Sequence, residues 1–141
     1  MKFLFPIDGS DCALSALDRF ISLLPVLGGE PDITLMYVHP KLPYPRAVAW
    51  ADPDVVKKYY EEESELALAE ARKRMERAGL AFNVVKRIGD PAQEIVDFAD
   101  TEKCAMIAMG THGRSALSNL LMGSVATKVL AAGKVSVLFL K

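Results

Sequence analysis

The feature that most limits how this chain can fold is the alternation of short apolar runs with longer amphipathic segments. Five runs have the length of a β-strand, and four helix-patterned segments lie between them. Short apolar runs bounded by turn residues are typical of strands buried on both faces. Strands that alternate with helices indicate a parallel sheet joined by right-handed crossovers. The sequence therefore predicts an α/β fold, a doubly wound five-stranded parallel sheet with helices on both faces.

The elements can be placed from periodicity and from start and stop residues. The predicted strands are Lys2–Ile7, Ile33–Val38, Leu80–Ile88, Ala105–Met109 and Val135–Leu140. Four helices are predicted. The first starts after the Asp8–Asp11 turn and ends within Pro25–Pro31, and the second runs from Asp54 to Gly79. The third starts at the Asp90 cap, and the fourth ends at Gly133. Ser10 or Asp11 is expected to cap the first helix, and Asp90 with Gln93 to form a capping box.

The long second helix and the loop before it have distinct compositions. Prolines recur through Lys41–Pro53, which predicts a loop, and its aromatic residues Tyr44 and Trp50 can serve either as a lid or as a contact for a partner. The helix is acidic in its first half and basic in its second, an order that favourably opposes the helix dipole. Its predicted buried face comprises Val56, Tyr59, Tyr60, Ala67, Ala71, Met75 and Ala78, and Gly79 is its predicted C-cap.

Composition excludes several classes of protein. The 141 residues suggest one domain, spanning 1–141, and their net charge of -1 argues against nucleic acid as the main partner. No run approaches the ~18 apolar residues of a membrane span, and the apolar run at the start is too short for a signal peptide. Two cysteines, Cys12 and Cys104, are too few for a disulfide framework. A soluble, cytoplasmic protein is expected, in which both thiols are inert. The alternative for Cys12 is a reactive thiol, because a position near a helix start can lower the pKa of a cysteine.

A glycine-containing loop after the fourth strand is the strongest candidate for chemistry. Gly110 ends that strand, Gly113 follows in the loop, and Gly123-Ser124 opens the last helix. Glycines without a Cβ beside the free N–H groups of a helix start can cradle phosphate or another anion. The turn at Asp8 also follows a strand, so the two loops become neighbours if the first and fourth strands flank the switch point of the sheet.

The common nucleotide and hydrolase motifs do not occur. Gly133-Lys134 lacks the upstream glycine of a Walker A motif and precedes a strand, and no G-x-G-x-x-G is present. A metalloprotease helix and a nucleophile elbow are also absent from the sequence. Dinucleotide binding and the standard P-loop chemistry therefore have no support.

The glycine spacing, G-x2-G-x9-G-S, together with the alternating strands and the Asp8 turn, resembles the ATP-binding branch of the universal stress protein family. The resemblance covers essentially the whole chain and implies a Rossmann-like sheet with strand order 3-2-1-4-5. It also implies a nucleotide lying across the carboxyl ends of the strands, and homodimers. By position, the residues implied to bind the nucleotide are Pro6, Asp8, Val38, Met109, Gly110, His112, Gly113, Gly123, Ser124, Val125 and Ala126.

The implied ligand is ATP, or AMP or ADP, with Mg²⁺ or Mn²⁺ bridging the phosphates. Three functions stay open: a nucleotide-dependent regulatory or stress-response protein, a slow ATPase, and a nucleotide-free dimeric interaction module. No catalytic residue and no protein metal ligand is predicted, because His112 has no carboxylate near it in sequence to orient it as a general base. The chain is expected to form a homodimer through its apolar last strand, Val135–Leu140, because an uncovered apolar strand at the edge of a sheet favours association.

Overall fold

The computed structural model describes residues 1–43, 49–113 and 122–141. The strands are β1 (Lys2–Pro6), β2 (Asp32–His39), β3 (Asn83–Ile88), β4 (Met106–Gly110) and β5 (Ser136–Leu140). The helices are α1 (Asp11–Leu27), α2 (Pro53–Arg77), α3 (Pro91–Thr101) and α4 (Ser124–Ala132). The predicted alternation of strands and helices is confirmed. None of the helices in the described part of the chain is long and apolar enough to cross a membrane.

All five strands are parallel and lie in the order β3-β2-β1-β4-β5, as predicted. β1 is central, and Phe3 pairs with Ile33 of β2 on one side and with Met106 of β4 on the other. The chain reverses its direction of travel across the sheet between β1 and β4. The loops that follow these two strands therefore meet at the switch point, where such sheets bind ligands.

Helices cover both faces of the sheet, which confirms the doubly wound arrangement. Side chains alternate along β1, so that Phe3 and Phe5 join the core formed with α1 and α2, while Leu4 joins the core formed with α3 and α4. The ring of Phe20, from α1, lies 5.3 Å from that of Phe3 and 5.4 Å from that of Phe5. This aromatic cluster anchors α1 on the centre of the sheet.

The helix ends explain where the predicted boundaries shift. Helix α1 continues through Pro25 to Leu27, and Gly28 ends it at φ 71°. At the end of α2, the Leu80 N–H donates to the Met75 carbonyl (3.1 Å) and Gly79 adopts φ 67°, a Schellman closure. Gly79 therefore follows the C-cap rather than forming it. Because the Leu80 N–H is used by this closure, β3 does not start at Leu80, and its first residue paired with β2 is Asn83.

The buried face of α2 differs in part from the prediction. Ala67, Ala71 and Met75 are buried as expected, but Leu68 joins them, and Tyr59 and Ala78 are exposed. Val56 and Tyr60 are only partly buried. At about 1.5 Å per residue, α2 is longer than the strand β2 on which it packs, so its first turns extend beyond the carboxyl edge of the sheet. Residues there cannot reach the core.

Asp90 caps α3, with its Oδ1 accepting from the Gln93 N–H at 3.0 Å. The reciprocal half of the predicted capping box is not formed, because the Gln93 amide donates instead to Asp97 Oδ1 (2.8 Å). Likewise, Ser10 rather than Asp11 caps α1, its Oγ accepting from the Ala13 N–H.

Replacing Asp90 with alanine is expected to lower the free energy of unfolding by about 1 kcal/mol, because one N–H of the first turn loses its acceptor. Urea denaturation followed by far-UV circular dichroism measures the change. Lys128 lies 4.0 Å from Asp90, and Lys128→Ala serves as the control for that exposed ion pair. An unchanged denaturation midpoint in Asp90→Ala would contradict the assigned cap.

Candidate functional site

A cavity of about 250 Å³ opens at the carboxyl edge of the sheet, at the switch point. Its walls come from the ends of β1, β2 and β4, from the loop after β4, and from the starts of α3 and α4. The position follows from the topology, since β1 and β4 are adjacent strands whose connections leave in opposite directions.

All eleven residues that the resemblance implied line this one cavity. They come from four separate segments of the chain: Pro6, Asp8, Val38, Met109, Gly110, His112, Gly113, Gly123, Ser124, Val125 and Ala126. The fold therefore brings together residues that are up to 120 positions apart in sequence, Pro6 and Ala126 being the extremes.

Asp8 and Gly113 face each other at the cavity wall. The Asp8 carboxylate is held in place because its Oδ1 accepts from the Ser10 N–H at 2.9 Å. A Cβ built on Gly113 would lie 2.5 Å from Asp8 Oδ2, closer than real Cβ atoms come. The loop approaches the carboxylate this closely only because residue 113 has no side chain.

The other two glycines of the motif also serve close packing. A Cβ built on Gly110 would lie 3.4 Å from the Ala16 Cβ. Because Gly110 lacks this atom, the end of β4 can lie against α1. The Gly123 N–H donates to the Thr111 carbonyl at 2.6 Å, and a Cβ there would lie 3.3 Å from the same oxygen. None of the three motif glycines has a positive φ, so the requirement at each is for space rather than for an unusual backbone conformation.

The start of α4 forms part of the cavity wall. Gly123 is the N-cap residue and, having no side chain, makes no side-chain capping bond to the first turn. Ser124, Val125 and Ala126 form that turn and line the cavity. The first N–H groups of a helix lack partners within the helix and carry its partial positive charge, which suits an anionic group.

The cavity also has lining residues, most of them apolar, that the sequence did not single out. Met36 lines it with Val38, two positions along β2, as expected for side chains on one face of a strand. Pro91 and Ile95 reach it from the first turns of α3. Ile7, Ala13, Tyr37, Pro40 and Thr111 complete the wall. The two-residue period of β2 could have identified Met36; the α3 residues depend on how that helix packs.

His112 is part of the loop after β4, and its Nδ1 lies 3.0 Å from the Thr111 hydroxyl. This bond helps to hold the loop in shape. Tyr44, which the sequence analysis named in the Lys41–Pro53 loop, lies outside the described residues. The two cysteines are separate and reduced, with Cys12 exposed and Cys104 buried. Burial raises the pKa of the Cys104 thiol, which agrees with the prediction that it is inert.

Comparison with known proteins settles the family. The sequence matches the universal stress protein family from residue 1 to residue 141. The chain belongs to this family. It is 33% identical over 141 residues to the universal stress protein MJ0531 of Methanocaldococcus jannaschii, an alignment that covers 99% of this chain and 81% of the relative.

Solved structures of universal stress proteins share the architecture. The structure of MJ0577, another universal stress protein of Methanocaldococcus jannaschii, superposes with a TM-score of 0.82 at 27% identity, covering 99% of this chain and 94% of that one. A universal stress protein family member from Arabidopsis thaliana, solved with AMP bound, gives a TM-score of 0.69 at 12% identity. The alignment covers 100% of this chain and 91% of that chain, and at this identity it supports the fold alone.

Proposed function

We propose that this universal stress protein binds an adenine nucleotide, ATP before AMP or ADP, and acts as a nucleotide-dependent regulatory or stress-response protein. The observation that carries the proposal is the convergence of eleven motif-matched residues, from four segments, on one cavity at the switch point. A related protein of the same fold has been solved with AMP bound, so the architecture can hold an adenine nucleotide.

The two sides of the cavity divide the binding between base and phosphate. Met36, Val38 and Ile95 offer an apolar surface on which an adenine ring would be buried. Asp8 would accept from a ribose hydroxyl or from the adenine amino group, because an ionised carboxylate only accepts hydrogen bonds. The N–H groups at the start of α4 and the Ser124 hydroxyl would donate to phosphate oxygens.

The composition of the cavity favours holding a nucleotide over hydrolysing it rapidly. Among its described lining residues there is no lysine or arginine to stabilise the charge of a phosphoryl transition state. The described chain also contains no group of three or more His, Cys, Asp or Glu residues that could hold a metal ion. Mg²⁺ or Mn²⁺ would therefore bind chiefly through the phosphates, where it would neutralise charge. Slow ATP hydrolysis remains the second candidate activity.

Isothermal calorimetry with ATP, AMP and GTP tests the proposal. We expect saturable heat for ATP and AMP, and much weaker heat for GTP. No adenine-nucleotide binding at millimolar concentration would overturn the proposal and leave a nucleotide-free interaction module. A phosphate-release assay on the same protein, with Gly113→Val as the blank, separates binding from slow hydrolysis.

We also propose a homodimer through Val135–Leu140, because the two edges of the sheet differ in how they are protected. On β3, Lys86 turns inward and pairs with Glu61 and Glu65 of α2, a charged feature that discourages pairing with another strand. On β5, Val137, Leu138 and Phe139 are only partly buried, and the strand carries no charge. Pairing of two β5 strands about a two-fold axis would cover this edge.

Ser136→Lys is expected to convert the dimer into a monomer, because it introduces a charged side chain next to the apolar partner strand, once on each side of the two-fold axis. Light scattering after size exclusion should report twice 15.4 kDa for the unmodified protein and 15.4 kDa for the variant. Asn83→Lys puts the same side chain on the exposed start of β3 and should leave the dimer intact. A monomeric unmodified protein at micromolar concentration would remove the proposed interface.

A further inference from the structure

The wall of the proposed nucleotide cavity continues beyond the end of β2. His39 pairs with Ile88 at the end of the β2–β3 ladder, where its carbonyl accepts from the Gly89 N–H at 3.0 Å. Pro40 follows outside the ladder and is exposed, yet it lines the cavity. Proline has no N–H, so the carbonyl is the one backbone group by which a hydrogen bond can hold residue 40. This part of the wall therefore needs support from outside the sheet.

The imidazole of His39 supplies that support. Its Nδ1 lies 2.6 Å from the Pro40 carbonyl oxygen. Because a carbonyl only accepts hydrogen bonds, Nδ1 must carry the proton and donate it, which leaves Nε2 unprotonated in the neutral ring. His39 is only 8% exposed, and it is one of few polar residues buried in the described part of the chain. A polar group in such a place needs a hydrogen-bond partner, and the Pro40 carbonyl is a partner that it has.

Aromatic rings hold the imidazole in this orientation. The rings of Tyr37, Tyr59 and Tyr60 lie 6.1, 5.6 and 4.8 Å from it, at interplanar angles of 87°, 68° and 78°. Such edge-to-face arrangements are the ones that aromatic rings favour. The Tyr60 hydroxyl also accepts from the Leu42 N–H at 3.4 Å, so the chain just after Pro40 is tied to α2 as well. The first turns of α2 therefore brace the loop that follows β2.

The alternation of side chains along β2 places this support behind the cavity wall. Met36 and Val38 belong to the core on the side of α3 and α4, and both line the cavity. His39 lies on the other side of the sheet, against α2, and is not among the described residues that line the cavity. Any effect of the imidazole on a bound nucleotide must therefore pass through Pro40.

We propose that His39 is a positioning residue of the nucleotide site, which fixes Pro40 in the part of the wall that would contact the adenine ring. This inference rests on the proposed function, in which Met36 and Val38, the preceding wall residues of β2, are assigned to the base. Without the bond to His39, the loop at Pro40 would have to be ordered when the nucleotide binds, and that ordering would cost affinity. The histidine orders the loop beforehand.

Long-range ¹H–¹⁵N NMR spectra of the unmodified protein, recorded without nucleotide, test the hydrogen bond itself. The chain has two histidines, His39 and His112, so the signals that disappear in His39→Asn assign both rings. We expect the neutral His39 ring to carry its proton on Nδ1, because the Pro40 carbonyl can only accept. A neutral ring protonated on Nε2 instead would overturn the positioning role, whatever the protein binds.

Calorimetry with ATP and AMP on three variants tests the effect on binding. His39→Leu removes the donor and should weaken binding of both nucleotides by about tenfold. His39→Asn carries an amide NH₂ on Cγ, where the imidazole has Nδ1, and should restore the affinity to within about threefold of the unmodified protein. Ser64→Ala is the matched control: Ser64 is also buried, and its Oγ donates to the Tyr60 carbonyl at 2.6 Å. Losing that bond should leave the affinity unchanged.

The outcomes distinguish this inference from the proposed function. If the unmodified protein binds neither ATP nor AMP, both fail together. If it binds them and His39→Leu binds equally well, or if His39→Leu and His39→Asn lose the same affinity, only the positioning role fails. Thermal unfolding of each variant shows that folded proteins are being compared. Should His39→Leu not fold, the protonation of His39 in the unmodified protein and the affinity of His39→Asn still decide the question.

Discussion

Replacing Gly113 with valine is expected to weaken ATP binding by about 100-fold while the protein stays folded. Any Cβ at this position would meet Asp8 Oδ2 at 2.5 Å, so the carboxylate must leave its place or the loop must retreat from it. Either movement separates two groups that are proposed to contact the nucleotide. The fold should persist because Gly113 lies in a partly exposed loop and has no left-handed φ that a valine would strain. Calorimetry measures the affinity and thermal unfolding measures the stability.

Ala131→Val supplies the matched control for that experiment. It introduces the same branched side chain at an exposed position of α4, outside the residues that line the cavity. Its affinity for ATP should equal that of the unmodified protein. Gly123→Val should also lose affinity, since its side chain would press on the Thr111 carbonyl at the start of α4. Full affinity in Gly113→Val would place the nucleotide elsewhere.

Phe20→Ala is expected to lower the free energy of unfolding by about 4 kcal/mol. Phe20 is fully buried and its ring contacts both Phe3 and Phe5 of the central strand. Truncation removes the transfer free energy of the ring and leaves a cavity between α1 and β1 that the packed sheet cannot fill. Because a domain of this size is stable by about 5–15 kcal/mol, the variant should denature at much lower urea concentration.

Two further variants separate the cost of leaving a void in the core from the cost of removing apolar area. Phe20→Leu keeps most of the buried volume and should cost well under half as much as alanine. Leu23→Ala removes a partly exposed side chain three residues further along α1 and should have a small effect. If Phe20→Ala and Leu23→Ala cost the same, the aromatic cluster is not the anchor of α1.

The fold could be predicted because its determinants are local. Apolar runs such as Ile33–Val38 need only their own composition to be recognised as buried strands, and the Asp90-Pro91 pair marks a helix start without tertiary information. The observed ends of helices and strands differ from the predicted ones where backbone hydrogen bonds determine them, as at Gly79. The periodicity of side chains does not show which carbonyl a given N–H group will bond to.

The candidate site was predictable only in part. The glycine spacing and the Asp8 turn are sequence features, and these residues do line the cavity together. Pro91 and Ile95 were missed because their place depends on how α3 packs against β2, a long-range arrangement. Tyr59 was assigned to the core because helical periodicity cannot show that the sheet ends before the helix does.

The central position of β1 has a consequence for how the protein acquires its cavity. Its neighbours β2 and β4 come from distant parts of the chain, and the contact between Lys2 and Glu102 spans 100 residues. Closing so long a loop is slow, so β1, β2 and β3 can pair before β4 and β5 join them. The cavity needs residues from both groups, and a partly folded chain that lacks β4 has no site to offer. A nucleotide would therefore stabilise the complete fold against the partially unfolded forms that lack this cavity, and amide exchange in β1, β2 and β4, which line it, should slow when it binds.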